Sequence, residues 1–139
     1  MAPLPDPRPK HLSLGTLETE ILNILWDFES ATVKDIHDRI LADPDRELAY
    51  ASVTTVLQRL AQKGWVESSK CDRAFVWRPT LSRQEAQMLK SHDHLRQFLS
   101  ISNPDIVAAF ADELDQTSLA QLDAIADCIR TARQEREAQ

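Results

Sequence analysis

Apolar residues recur at helical spacing in three successive stretches near the start of this chain. In the first, residues 14–28, Leu14, Leu17, Ile21, Ile24, Leu25 and Phe28 share one face, the mark of an amphipathic helix. Glu18 and Glu20 stand near its first turn, where the helix dipole favours acids. After a tight connection at 29–31, Thr32 is placed to cap a second helix over residues 33–41, with Asp35 three residues on. Val33, Ile36, Ile40 and Leu41 form its buried stripe, and His37 falls on the polar side as a surface residue. Asp43-Pro44-Asp45 breaks the chain, and Glu47-Leu48-Ala49 is expected to add one short strand. The third helix, residues 50–63, places Val53, Val56, Leu57 and Leu60 on one face and stops at Gly64. Its other face carries Ser52, Thr55, Gln58, Arg59 and Lys63.

The period then changes. Residues 65–70 alternate, a polar tip follows at Cys71-Asp72-Arg73, and a return strand at 74–78 is stopped by Pro79. A hairpin this short is marginal alone, so Trp65, Phe75 and Trp77 are expected to pack it on the helices. Trp26, Trp65 and Trp77 sit among aliphatic residues, which favours core packing over base stacking. Three helices followed by a hairpin predict a winged helix-turn-helix.

Beyond it, Ser82 and Glu85 form a capping box that opens a helix to about residue 100, with Met88, His92, Leu95 and Leu99 as its stripe. A break at Asn103-Pro104-Asp105 precedes a short helix over 106–114, and Thr117 or Ser118 caps a last helix to about residue 136. There Leu119, Leu122, Ala126 and Ile129 step by three, four and three, and Ile125 widens the stripe. So few residues do not readily close a core of their own, and an intertwined homodimer is the expected solution. The predicted architecture is mostly α with a small β-hairpin. A disordered Pro-rich arm (1–12) precedes a winged-helix domain (13–80) and a three-helix dimerisation unit (81–139).

Composition adds limits. With 139 residues, 42% hydrophobic and 27% charged, the chain has an ordinary globular make-up. No apolar run reaches the roughly 18 residues of a membrane span, and the first ten residues, four of them proline, hold no apolar signal core. The expectation is a cytoplasmic protein with no membrane partner. Cys71 and Cys128 fit no disulfide framework or zinc spacing. The net charge of −6 looks unsuited to DNA until it is divided along the chain. Residues 12–48 carry three Lys/Arg against nine Asp/Glu, whereas residues 49–81 carry five against two. Only the third helix and hairpin are locally positive, as phosphate contact requires.

Several local strings, in order, resemble the penicillinase-repressor family (BlaI/MecI type, which includes copper-responsive CopY-type repressors). They are Leu14-Gly15-Thr16-Leu17-Glu18 with Ile21-Leu22 and Leu25-Trp26, then Thr32-Val33-Lys34-Asp35-Ile36. Leu48-Ala49-Tyr50, Val53-Thr54-Thr55-Val56-Leu57, Arg59-Leu60, Lys63-Gly64, Arg73-Ala74-Phe75 and Pro79 follow. The resemblance covers about residues 14–130 and is strongest through Pro79. It implies a homodimeric repressor that binds double-stranded DNA at a palindromic operator with TACA/TGTA-like half-sites. Carried over by position, Ala51, Ser52, Thr54, Thr55 and Gln58 face bases, and Arg59, Lys63, Lys70 and Arg73 serve phosphates. Gln58 suits adenine and a Thr methyl suits thymine. Leu95, Leu99, Phe110, Leu119, Leu122, Ile125, Ala126 and Ile129 are the expected dimerisation residues.

Two departures qualify the resemblance. β-Lactam-responsive members are cut by a sensor protease at an Asn-Phe bond, but the corresponding pair here is Ala109-Phe110. Copper-responsive members carry paired C-x-C motifs, and this chain has only Cys128 in that region. No cofactor is expected, and no nucleophile–base pair or phosphate loop points to catalysis. Other readings stay open. The polar face of the third helix is either a DNA contact or a solvated surface, and Tyr50 either reaches a phosphate or packs on the second helix. Cys71, beside Lys70 and Arg73, is an oxidisable thiol or an incidental one. Cys128 is a small buried hydrophobe, with a disulfide or metal–sulfur role as alternatives. His92 and His94 are two apart on a helix and do not share an ion. A winged-helix module for a protein partner, or a redox- or metal-responsive regulator, are the competing functions.

Overall fold

A computed structural model of the chain describes residues 4–5, 8–101 and 103–138. Eight elements follow in order. They are α1 (Thr16–Phe28), α2 (Val33–Leu41), α3 (Tyr50–Lys63), β1 (Val66–Cys71), β2 (Ala74–Pro79), α4 (Arg83–Ile101), α5 (Pro104–Phe110) and α6 (Gln116–Glu137). A single 3-10 turn, Ala111–Glu113, follows α5.

Local chemistry sets most of the helix ends. In α2 the Asp35 N–H donates to Thr32 Oγ1 at 3.1 Å and the Thr32 N–H donates back to Asp35 at 3.0 Å, a reciprocal cap. Ser82 and Glu85 do the same ahead of α4. Asp115, not Thr117 or Ser118, caps α6, accepting from the Ser118 N–H at 2.7 Å. Gly64 ends α3 at φ 92°, a left-handed value that disfavours a side chain. A Cβ there would also meet Pro9 Cα at 3.1 Å.

The hairpin register pairs Cys71 with Ala74 and Val66 with Pro79, leaving a two-residue tip. Asp72 and Arg73 both take positive φ, 52° and 77°, as a type I′ turn demands. The third edge of this small sheet comes from Ala31, bridged to Trp77 through reciprocal backbone bonds of 2.9 and 2.8 Å. Residues 47–49, expected to supply a strand, form none; the edge beside β2 is already taken by Ala31.

The core of the first unit joins α1, α2, α3 and the base of the hairpin. Ile21, Leu22, Leu25, Ile36, Val53, Leu57, Leu60, Trp65 and Leu89 are fully buried in it. Trp65 and Trp77 anchor the hairpin as expected, but Phe75 does not, being 58% exposed near the tip. It stands on β2 two residues before Trp77, towards the tip, where the strand extends past the helices. Trp26 is half-buried and donates Nε1–H to the Leu81 carbonyl at 2.8 Å, tying α1 to the start of α4.

Two boundaries differ from those expected. The described part of the arm lies against the domain: Pro5 and Pro9 are buried, Lys10 N–H donates to the Lys63 carbonyl at 2.9 Å, and Trp65 donates to the His11 carbonyl at 2.8 Å. Residues 1–3 and 6–7 of that arm lie outside the described residues. The chain divides into the units Met1–Arg96 and Gln97–Gln139 rather than at residue 80, because Leu81, Ala86 and Leu89 are buried in the first core. The second unit holds the end of α4, α5 and α6, and α6 has no buried residue.

Candidate nucleic-acid interface

The sequence makes α3 two-faced, and the fold uses both faces. Val53, Val56, Leu57 and Leu60 are buried, so Ala51, Thr55, Gln58 and Arg59 are turned outward and are exposed. Ser52 and Thr54 flank this surface and are half-buried. The Thr55 hydroxyl donates to the Ala51 carbonyl at 3.0 Å. That leaves its methyl and an oxygen lone pair for a partner. The outward face is therefore short, uncharged except at Arg59, and able both to donate and to accept.

Beyond α3, the hairpin raises Lys70, Cys71 and Arg73 at its tip, all exposed. Lys70 faces Phe75 across the strands. The exposed cations are fewer than the local charge suggests. Lys63, expected to serve a phosphate, turns back on α1, with Nζ 2.8 Å from Glu18 and 3.0 Å from the Ser13 carbonyl. The fold claims this charge for tying the end of α3 to the start of α1. Burial pushes the Glu18 pKa up, but hydrogen bonds from Lys63 and the Gly15 N–H, with the charges of Lys63 and Arg59, outweigh it and leave the carboxyl below its ordinary value. Arg78 pairs with Glu67 across the hairpin at 3.1 Å. Arg59, Lys70 and Arg73 make no ion pair among the described residues, and they are the charges that α3 and the hairpin leave for an anionic partner.

His37 is not the surface residue its helical position suggested. It is half-buried, 2.7 Å from the Leu48 carbonyl, and edge to face with Tyr50. Only the fold could disclose it, since the contact joins α2 to the connection beyond it. Cys71 is a free, exposed thiol, and so is Cys128, which the apolar stripe of α6 does not cover within one chain. His92 is likewise exposed. No group of acidic, Cys or His residues among the described residues could hold a metal ion, and no described helix is long and apolar enough to cross a membrane.

Among the described residues, six of the expected dimerisation residues stay exposed. Leu95 is 46% exposed and Leu99, Leu119, Leu122, Ile125 and Ile129 are exposed as well. Ala126 is half-buried. The backbone of Phe110 closes α5, and its side chain lies outside the described residues.

The chain is similar to several known proteins. Residues 14–130 match the family described as penicillinase repressor. A transcriptional regulator BlaI from Mycobacterium tuberculosis is 42% identical over 73 residues, which are 52% of this chain and 51% of that protein. The chain thus spans about half the length of that relative. A penicillinase repressor from Bacillus licheniformis is 24% identical over 105 residues, 76% of this chain and 80% of that one. Among solved structures, the DNA-binding domain of the repressor BlaI is similar over 56% of this chain and 93% of its own, with 20% identity and a TM-score of 0.47. With the family match running from the first helix into the last, this chain belongs to the penicillinase repressor family.

Proposed function

We propose that the protein is a transcriptional repressor that binds double-stranded DNA as a homodimer, at a palindromic operator with TACA/TGTA-like half-sites. The observation that carries this reading is the outward face of α3, where Ala51, Thr55 and Gln58 are exposed, together with Arg59, Lys70 and Arg73, cations that make no ion pair among the described residues. Hydroxyl, amide and methyl groups on a helix read base edges in the major groove, and the flanking cations meet phosphates. Direct readout from this set is light, because it lacks an Arg fork among the base-facing positions. Part of the specificity then rests on DNA shape and on the spacing of two half-sites.

The exposed stripe of α6 supports the dimer. Leu122 and Ile125 are each more than half exposed, and a second copy is the partner that buries such a stripe in both chains at once. A dimer also brings two α3 helices to two half-sites, as palindromic DNA requires.

A mobility-shift titration of the purified full chain tests the reading, on duplex DNA from its own upstream region and on an inverted TACA/TGTA palindrome. The expected result is a shift that weakens with added salt. No salt-dependent shift on either duplex overturns it.

A further inference from the structure

Two rings meet at the start of α3. The His37 ring, carried by α2, brings Nε2 to 2.7 Å from the Leu48 carbonyl. A carbonyl only accepts, so Nε2 carries the proton and donates. The same ring meets Tyr50 edge to face, with centroids 5.7 Å apart and planes at 76°, a geometry that aromatic quadrupoles favour. The start of α3 has few other restraints. Its N-cap, Ala49, gives no side-chain hydrogen bond, and residues 46–49 belong to no strand. At the far end of this connection Arg46 grips Glu20 through two bonds of 2.7 and 3.0 Å. His37 thus fixes the last residues before α3 together with the Leu48 side chain, which packs against the core.

What it fixes is an exposed phenol. Tyr50 is 52% exposed, and its hydroxyl has no hydrogen-bond partner among the described residues. Tyr50, Thr54 and Gln58 follow at i, i+4 and i+8, which is one ridge along a helix. The phenol therefore stands at the entry end of the row that also holds two base-facing candidates.

We propose that Tyr50 contacts the DNA backbone through its hydroxyl, donating to a phosphate oxygen, and that His37 is the positioning residue that holds its ring for this contact. The proposal rests on the DNA-binding reading and adds to it an uncharged backbone contact. An uncharged donor displaces no counterion, so its signature differs from that of a cation.

The test uses the full chain and a duplex from its own upstream region, beside a scrambled duplex of equal length. Tyr50→Phe is expected to weaken both by about tenfold, with the salt slope and the melting temperature unchanged. His37→Phe is expected to lose a similar factor alone and nothing further in the Tyr50→Phe background. His37→Gln, whose amide reaches the same carbonyl as a donor, is expected to restore most of the affinity. If wild type shifts the duplex and Tyr50→Phe binds equally well, the backbone contact is overturned while the DNA-binding reading stands. If His37→Phe costs as much in the Tyr50→Phe background as in wild type, or His37→Gln rescues nothing, the positioning role is overturned. Should His37→Phe fail to fold, His37→Leu takes its place in the same cycle with Tyr50→Phe. A wild type that shifts no duplex overturns the DNA-binding reading and this proposal with it.

Discussion

The two units of this chain treat their apolar residues in opposite ways. In Met1–Arg96, the stripes of α1, α2 and α3 converge, and nine large side chains lose all or nearly all contact with water. In Gln97–Gln139, α6 runs for 22 residues with none buried, although Leu119, Leu122, Ala126 and Ile129 recur there at helical spacing. Regular periodicity therefore says that a face must be covered, not that the same chain covers it. A stripe of large apolar residues left in water forgoes about 25 cal/mol for each Å² that a partner would bury.

Substitutions in the two units should separate these roles. The largest effect is expected from Leu122→Asp, which sets a charge in the middle of the α6 stripe, where burial in a partner would be costly. Dimerisation should fail, and operator affinity should fall by about 10²–10⁴, the factor lost when two linked half-site contacts become one. Light scattering that still reports a dimer would remove the contrast between the units. Leu57→Ala, in the first core and fully buried, should cost about 2–5 kcal/mol of unfolding free energy. Its effect should appear in denaturant titration while the subunit count of the folded protein stays the same.

Smaller effects probe the interface itself. Gln58→Ala should cost about 1–3 kcal/mol of discrimination at one or two base pairs, with little change in stability, because the side chain is exposed. Competition between operator variants measures this, and equal losses on every sequence would move Gln58 to the backbone contacts. The smallest effect on DNA is expected from Lys63→Met, since that cation is held by Glu18. Its consequence should appear in the pH dependence of folding. Glu18 has a depressed pKa in the folded state, so its contribution is complete above the ordinary value of 4.5 and is lost as pH falls through the lower folded value. Lys63→Met should therefore lower stability at neutral pH and flatten the loss below pH 4.5. A reduced salt slope for DNA binding in this variant would instead return Lys63 to the phosphate contacts.

Much of the winged-helix unit was legible in the sequence. The reciprocal cap of Thr32 and Asp35, the range of α2, the stop at Gly64 and the burial of Val53, Val56, Leu57 and Leu60 all follow from residues within a few positions of one another. The outward positions of α3 follow from the same periodicity. The misses are of a different kind. Phe75 continues an aromatic alternation yet stands in water, because the strand outlasts the helices that cover it. Ala31 carries no strand signal and still completes the sheet edge, because the turn after α1 delivers it to Trp77. Pro9 was part of a proline-rich arm, and it is buried where Gly64 leaves no Cβ to exclude it.

By itself, then, the sequence determined the order of the helices and the hairpin, the caps of α2 and α4, and the faces that must be hidden. These depend on hydrogen bonds and side-chain periods that act within one or two turns of chain. Only the tertiary structure decided which charges remain for an anionic partner. The partner of Lys63 lies 45 residues away on α1, and the partner of Arg78 lies across the hairpin. The same holds for the His37 ring, whose acceptor is 11 residues ahead at the door of α3. A charge or a ring acquires its partner when packed elements bring distant residues together, and no local pattern encodes that distance.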